Sequence, residues 1–449
     1  MTRFWRLGDW SLWEDEVFTL SDARTIMADG GVPKNPLGYF LFAGLIHGLG
    51  TVPGEFGLRI LPAILGVLGI AACGLCFAPI FGARRAAATA LILGASTWHL
   101  YWSQNARFYT LAQDLALLGG VFAARALLRA RGERFFLCAL CALALLMLAA
   151  LAQPAALLLL PAWLAAAVAV SRIRTQPPLA SLPISRTSVI AAGILGVLIA
   201  AWVGPIWLDF YRTKHDPTAL HLLLTSGWYF TPALLGAAAF SMVCAVRRRS
   251  APDIVVGLAC LFAAGLAQAN ALFVRAAAQY LFVLLPFVAA LATWPIVQSR
   301  FRPWWRAAWL AALVLPAVID QGLYFTARNG DRPPWREAFA EVHRLREPGD
   351  LVFTNNANVG EYYFAPLSLD LRHPSHVQNL DRYTYASEQH WARQPRRAWF
   401  VVNIERLDEW PMAARDAFKA MLADRATLVK SFDLDVGVRD LDVLVYLRP

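Results

Sequence analysis

Over the first 325 positions the chain alternates long apolar runs with short polar loops. Crossing the hydrocarbon of a bilayer takes about 20 apolar residues in a helix. Runs of that order lie at 58–80, 86–104, 109–128, 135–152, 154–171, 188–208, 229–246, 254–272, 279–298 and 306–325. They predict about ten spans. A shorter run, 37–52, holds His47 and four glycines. After residue 325 the pattern changes to that of a water-facing domain. Residues 335–346 have helical spacing, and Pro348-Gly349 stops them. LVFT at 351–354 and AWFVVNI at 398–404 read as strands, being short, β-branched and aromatic. A helix over 411–424 and strands near 427–434 and 440–447 close the chain. The expected fold is therefore an all-α polytopic membrane domain over 1–325, followed by a small α/β domain over 326–449.

Charge gives the runs a direction. One set of alternate loops holds Arg84 and Arg85, then Arg125, Arg129, Arg131 and Arg134, then Arg172, Arg174 and Arg186, then Arg247, Arg248 and Arg249, then Arg300, Arg302 and Arg306. Cytoplasmic loops carry such an excess of arginine. The other set holds Arg107, then Arg212 and Lys214 mixed with Asp209 and Asp216, then Arg275, and so faces outward. Residues 1–57 and the tail after 326 then both lie outside. The run 37–52 has both ends outside and is expected to be an interfacial or re-entrant helix, since counting it as a span inverts the parity. An outside N-terminal loop normally follows a helix that carries it across. The opening MTRFWRLGDWSLWEDE contains neither a span nor a signal peptide. Either the N-tail crosses unaided or a helix precedes Met1, and the second is the expectation.

Composition narrows the function classes. The chain is 58% hydrophobic and 16% charged, with a net charge of +10. Because the arginines sit in loops between apolar runs, the positive charge reads as membrane orientation and gives no support for a nucleic-acid partner. The six cysteines, Cys73, Cys76, Cys138, Cys141, Cys244 and Cys260, all lie in apolar runs, so they imply no disulfide framework.

Candidate chemistry gathers on the outward side. Glu14-Asp15-Glu16 follows Trp10 and Trp13, which suit an interfacial belt. A carboxylate held there can act as a general base on an acceptor hydroxyl, although a solvated acidic turn has the same sequence. Arg107, in SQNARFY at 103–109, sits where one span ends and the next begins. It can bind an anionic phosphate or serve as a snorkelling anchor. Asp114, further into the next helix, is an intramembrane carboxylate and a candidate on that ground alone. Lys34, Arg59, Arg212, Lys214, His215 and Arg275 are further outward cations able to ring a phosphate. A divalent metal would find Asp15, Glu16, His47 and His215, which show no ligand spacing. No glycine-rich nucleotide-phosphate loop is present.

Several strings occur in consistent order: Trp13-Glu14-Asp15-Glu16, NPLGY at 35–39, EFGLR at 55–59, FGARR at 81–85, SQNARFY at 103–109, and Arg275 through Tyr280-Leu281 with Leu285-Pro286 beyond. In this order they resemble glycosyltransferase family 39, the dolichyl-phosphate-mannose protein mannosyltransferase-like family. Its bacterial relatives include the lipid A aminoarabinose transferase, and its fold is GT-C. The resemblance implies an inverting transfer of sugar from a polyprenyl-phosphate donor to a hydroxyl on a glycan, lipid or protein, at the outer face of a bacterial inner membrane. It implies Asp15 as general base and Glu16 as its support or as part of the acceptor site. It places Arg107 near the leaving phosphate, with Tyr109, Lys34, Arg59 and Arg275 as further donor-phosphate ligands and Asp114 and His215 as supports. The chain departs from the family at four points, the largest being the missing first helix, and the other three lie in the motifs. Asn35-Pro36 stands where relatives often have His or Lys before Pro-Pro, Asn105 where Glu is common, and Gln279 where an Arg often precedes the tyrosine.

Two other readings fit a polytopic chain. A transporter or flippase of lipid-linked sugars places ionisable groups and broken helices near mid-membrane. Here they gather at one face, Asp114 excepted. A polysaccharide ligase or polymerase should show a large external loop late in the membrane domain, whereas this chain carries its large external region at the C-terminus.

Overall fold

The computed structural model describes residues 2–29, 35–50, 53–129, 132–173, 218–298, 301–364, 375–380, 397–434, 436 and 439–449, with single positions between 201 and 212. Helix α1 spans Glu14–Asp29, α2 Pro36–Leu49, α3 Glu55–Phe81, α4 Ala83–Ala95 and α5 Thr97–Ser103. Then come α6 Tyr109–Leu128, α7 Glu133–Ala152, a 3₁₀ turn Pro154–Leu158 and α8 Leu159–Ile173. After the undescribed stretch follow α9 Ala219–Phe230, α10 Pro232–Arg248, α11 Ala251–Asn270, α12 Leu285–Ala292 and α13 Pro303–Thr326.

Six of the described segments are long and apolar enough to cross a membrane: α3, α6, α7, α11, the composite Ala278–Val297 built around α12, and α13. A seventh arises if α9 and α10 count as one bent span. The chain is a multi-pass membrane protein. Leu137, Leu140, Leu315, Val318 and Ile319 stay exposed on α7 and α13, as lipid-facing side chains do.

Three expected spans are shaped differently from a single helix. The run 86–104 breaks at Ser96, which turns extended and accepts the His99 N–H on its hydroxyl at 3.3 Å, restarting the chain as α5. The run 154–171 opens in the 3₁₀ turn before α8. The run 229–246 is cut at Thr231, whose φ of 64° precedes Pro232, and α9 meets α10 at 90°. The expectation at 188–208 lies almost wholly outside the described residues. The run 37–52 forms α2, which has 14 residues and is about 21 Å long, below spanning length.

Hydrogen bonds tie together the helix ends nearest the tail. The Asn35 side-chain amide donates to Ala152 O at 2.9 Å and to Gln153 Oε1 at 2.7 Å. The Thr218 N–H donates to Ala271 O at 2.9 Å, and Arg332, beyond α13, donates to Gln104 O at 2.7 Å. The inner part of α3 closes on its neighbours because Gly66 and Gly69 lack side chains. A Cβ at Gly66 would overlap the Ser103 hydroxyl, and one at Gly69 the Asp114 carboxylate.

The tail forms α14 Trp335–Leu345, β1 Leu351–Thr354, α15 Ala357–Phe364, β2 Gln378–Asn379, β3 Ala398–Asn403, α16 Ile404–Asp408, α17 Met412–Arg425, β4 Thr427–Phe432 and β5 Val443–Arg448. The sheet order is β2-β1-β3-β5-β4. β1 runs parallel to β2 and β3, and β5 is antiparallel to β3 and β4. All six residues of β3 are buried, the position expected of its unbroken apolar run. On α14 the buried residues are Trp335, Ala338, Phe339 and Val342, one helical stripe. That stripe meets Val352, Trp399, Val401 and Val443 from the sheet, and Leu12, Val17, Leu20 and Ala23 from α1 and the loop before it, in one apolar cluster. Helix α1, first in chain order, is thus folded into the core of the last domain.

Candidate functional site

The first turn of α1 carries Glu14, Asp15 and Glu16, where carboxylates meet the positive end of the helix dipole. Neighbours on a helix point about 100° apart, and the three carboxylates go to three environments. Glu16 points inward and is fully buried. Arg59 Nε donates to its Oε1 and Arg59 Nη2 to its Oε2, both at 2.7 Å. The Ala106 N–H donates to Oε1 at 2.8 Å, the Trp13 N–H to Oε2 at 3.3 Å, and Arg332 Nε to Oε2 at 3.4 Å. Burial alone would raise the Glu16 carboxyl, but Arg59 and Arg332 hold it below the usual carboxylate range. Glu14 turns to the tail and pairs with Arg406 of α16.

Asp15 stays half-buried and faces the third group, Arg107. Arg107 Nη1 donates to the Asp15 backbone carbonyl at 3.1 Å and to the Thr19 hydroxyl at 2.9 Å, and its guanidinium lies 4.6 Å over the Phe108 ring. Burial lowers the Arg107 pKa, but the charges of Asp15, Tyr39 and Tyr109 outweigh it and raise the group above its ordinary value. Its Nε–H is buried and has no partner among the described residues. Tyr39, on α2, hydrogen-bonds both Arg107 and Asp22, and burial pushes its phenol up to about 12. Tyr109 lies in reach of Arg107, Asp15 and Tyr280 and is hydrogen-bonded to Gln279. From Arg107 a narrow apolar crevice leads inward, lined by Leu41 and Phe42 of α2, Leu61 and Leu65 of α3, and Leu111 of α6.

The sequence-derived candidates thus divide. Asp15, Arg107 and Tyr109 come together, with Tyr39, Gln279 and Tyr280 beside them. Arg59, expected as a phosphate ligand, is instead placed in a buried cluster. All five of its N–H groups are taken, by Glu16 and by the carbonyls of Leu7, Trp10 and Ser11, and it has no exposed surface. Glu16 likewise has no open face toward an acceptor. Arg275 stands at the rim, its side chain 59% exposed and 3.9 Å from Glu409 of the tail. Asp114 lies in α6 against Gly69, with its Oδ1 buried and without a hydrogen bond. Lys34 and His215 fall outside the described residues. Among the described residues no three His, Cys, Asp or Glu side chains converge as a metal site. Arg332 escaped the sequence reading. Nothing in the sequence set it apart, since Arg328, Arg336, Arg344 and Arg346 crowd the same stretch.

The tail forms the rest of the rim. Arg406 pairs with Glu409 at 2.9 Å as well as with Glu14, and Arg439 clamps Glu405 at 2.6 and 2.9 Å.

No family model matches the sequence, and no curated protein matches it. Solved structures do. ArnT from Cupriavidus metallidurans in the apo state superposes with a TM-score of 0.56 at 15% identity, over 99% of this chain and 95% of that one. The same protein bound to undecaprenyl phosphate gives 0.56 at 14%, over 99% and 96%. The Archaeoglobus fulgidus oligosaccharyltransferase in the apo form gives 0.53 at 13%, over 90% of this chain and 68% of that one. Both proteins are GT-C glycosyltransferases. At these identities the likeness is one of architecture, and it extends from α1 to the closing strand: the chain has the GT-C fold.

Proposed function

We propose that the protein is an inverting glycosyltransferase that moves a sugar from a polyprenyl-phosphate donor to an acceptor hydroxyl at the outer face of the cytoplasmic membrane. The observation that carries this is that Asp15 and Arg107 lie side by side at an apolar crevice, Arg107 Nη1 donating to the Asp15 backbone carbonyl at 3.1 Å. Asp15 takes the proton of the acceptor hydroxyl. The freed oxygen attacks the anomeric carbon on the face opposite the phosphate, and the bond from that carbon to the phosphate oxygen breaks. The polyprenyl phosphate leaves with the electron pair and gains negative charge beside Arg107, whose Nε–H is available to it. Tyr109, Gln279 and Tyr280 frame the sugar. Glu16 supports the site from beneath, and Arg275 of the membrane domain with Arg406 and Glu409 of the tail supplies the acceptor-side rim. Two neighbours in fold bind or use related partners by their descriptions: one holds undecaprenyl phosphate, and the oligosaccharyltransferase has been captured with a tethered acceptor peptide.

Asp15→Asn is expected to abolish transfer while the protein inserts and folds. The measurement is mass spectrometry of polyprenyl-linked sugars and envelope glycans in a strain lacking the protein, complemented with wild type or variant. Product at the wild-type level from the variant would remove Asp15 as the base. Arg107→Ala is expected to raise the donor KM by about 10- to 100-fold and to leave the acceptor KM nearly unchanged. Equal loss on both would remove the phosphate role.

One observation favours a flippase of lipid-linked sugars: Asp114, a carboxylate within a span and without an ion-pair partner among the described residues. Detergent-solubilised protein separates the two readings. Turnover without a membrane barrier belongs to a transferase alone.

A further inference from the structure

We infer that Arg332, in the turn that joins the last span to the tail, is a positioning residue that holds Asp15 and Arg107 at their working separation through the Glu16 carboxylate. The inference rests on the roles proposed above for Asp15 and Arg107.

Glu16 is bound by its own loop and by three segments distant in sequence. Arg59 comes from the start of α3, Trp13 from the N-terminal loop, Ala106 from the loop between α5 and α6, and Arg332 from beyond α13. Two of these contacts bear directly on the chemistry. Glu16 immediately follows Asp15, and Ala106 immediately precedes Arg107. One carboxylate therefore fixes both reacting partners, each at a single residue's remove. Arg332 holds the same loop a second time, because its Nη2 donates to Gln104 O at 2.7 Å. Its Nη1 donates to Gly330 O at 2.7 Å and to the Tyr324 hydroxyl at 3.2 Å, and the Tyr101 ring lies 5.0 Å from its Cζ.

The backbone before Arg332 is built to aim it. Asn329, Gly330 and Asp331 have φ of 46°, 64° and 56°, three left-handed residues in succession. Such a run persists only where its surroundings impose it. Trp10 lies against the middle residue so closely that a Cβ at Gly330 would come 2.5 Å from its ring. The Trp10 carbonyl in turn accepts from Arg59 at 2.9 Å. The turn is wedged against the N-terminal loop, and Arg332 issues from it into the buried carboxylate. Because guanidinium donors form a rigid planar fork, neither lysine nor methionine can satisfy Glu16, Gln104 and Gly330 together.

The test uses the full-length protein in detergent with undecaprenyl phosphate as the probe, and sugar transfer in the complemented strain. Arg332→Met is expected to cut product by about 100-fold and to weaken undecaprenyl phosphate binding by about 10-fold, the losses that misplacement by about 1 Å brings. Arg332→Lys should fall between. In the Arg107→Ala background the further loss of binding on Arg332→Met should shrink below about 2-fold, because a residue acting through another is non-additive with it. Arg336→Ala, which removes contacts to Glu55, Gly8 and Asp9 on the same seam, should leave both readouts near wild type. If Arg332→Met only lowers the melting temperature, or its binding loss multiplies with that of Arg107→Ala, the inference is overturned. Should the methionine variant fail to fold, Arg332→Lys alone decides: wild-type binding and turnover overturn it. A wild-type protein that ignores undecaprenyl phosphate fails at the donor proposal instead. Wild-type binding, lost in Arg107→Ala and intact in both Arg332 variants, fails only here.

Discussion

Three adjacent carboxylates show how far a residue's neighbourhood governs its chemistry. The string Glu14-Asp15-Glu16 reads as a reactive cluster, and the loop charges predict an outward position for it. Which member is sealed is not legible, because the guanidiniums that claim Glu16 lie 43 and 316 residues away. Glu16→Gln would leave two buried guanidiniums facing a neutral amide. The expected cost is about 3–5 kcal/mol, read as a lowered thermal midpoint in detergent. The folded Glu16 carboxyl is depressed, so its contribution is present above the unfolded carboxyl range and lost as pH falls through the folded value. Asp331 has the opposite sign. Burial raises its carboxyl to about 6, against the pull of Arg328, Arg439 and Arg332. The folded state then favours the protonated form, and stability falls as pH climbs from about 4 through about 6. Asp331→Asn keeps the left-handed backbone that asparagine tolerates. It is expected to raise the melting temperature at pH 7.5 and to flatten its change between pH 4 and 7. An unchanged slope would rule out Asp331 as its source. Asn105 is also fully buried, with neither amide atom hydrogen-bonded among the described residues, and a buried polar group in that state ordinarily has a partner.

Helices and strands were legible where periodicity was strong and obscured where a single residue bends the chain. In the tail the expected strand at 351–354 and the helices near 335–346 and 411–424 fall within a residue or so of β1, α14 and α17, because each buries a face with an unbroken period. The break at Ser96 carries no proline, only Gly94 two residues earlier, and serine caps that restart a helix look like any serine within an apolar run. Thr231 did have a signal, the proline after it. Helix α2 shows why an element's exact seat matters to the site. Gly38 faces Phe108, and a Cβ there would come 2.5 Å from the ring. That ring carries the Arg107 guanidinium. Gly38→Ala must push α2 outward or turn Phe108, and either displaces Arg107. Binding of undecaprenyl phosphate should weaken by about 10-fold, whereas Gly44→Ala, whose Cβ meets nothing, should bind as wild type. Equal binding by both variants would detach α2 from the phosphate site.

Over the whole molecule, topology and the buried hub constrain each other. Arg332 beyond the last span and Glu16 before the first described one share a bond, so the N-terminal loop and the tail must lie on one face of the membrane. The number of crossings between Arg59 and Arg332 is then even, whichever way the protein is inserted. Bonds joining Asn35 to Gln153, Gln104 to Arg332, and Thr218 to Ala271 mark the points at which the chain returns to that face. The arginine-rich loops supply the missing sign. Arg84 and Arg247–Arg249 stand at the ends of helices opposite to the hub, where positive charge keeps a loop in the cytoplasm. On that rule the hub, Asp15, Arg107 and the tail are predicted to face outward, as the proposed transfer from a polyprenyl-linked sugar requires. Single cysteines test this directly. The native cysteines lie within membrane helices, with Cys73 and Cys260 buried. Asp424→Cys, at a side chain 75% exposed on the tail, should react with a membrane-impermeant maleimide on intact spheroplasts. Arg84→Cys should react only after lysis. The reverse pattern would put the carboxylate and its guanidinium in the cytoplasm, among nucleotide-sugar donors, and no lipid-phosphate chemistry at the outer face would survive it.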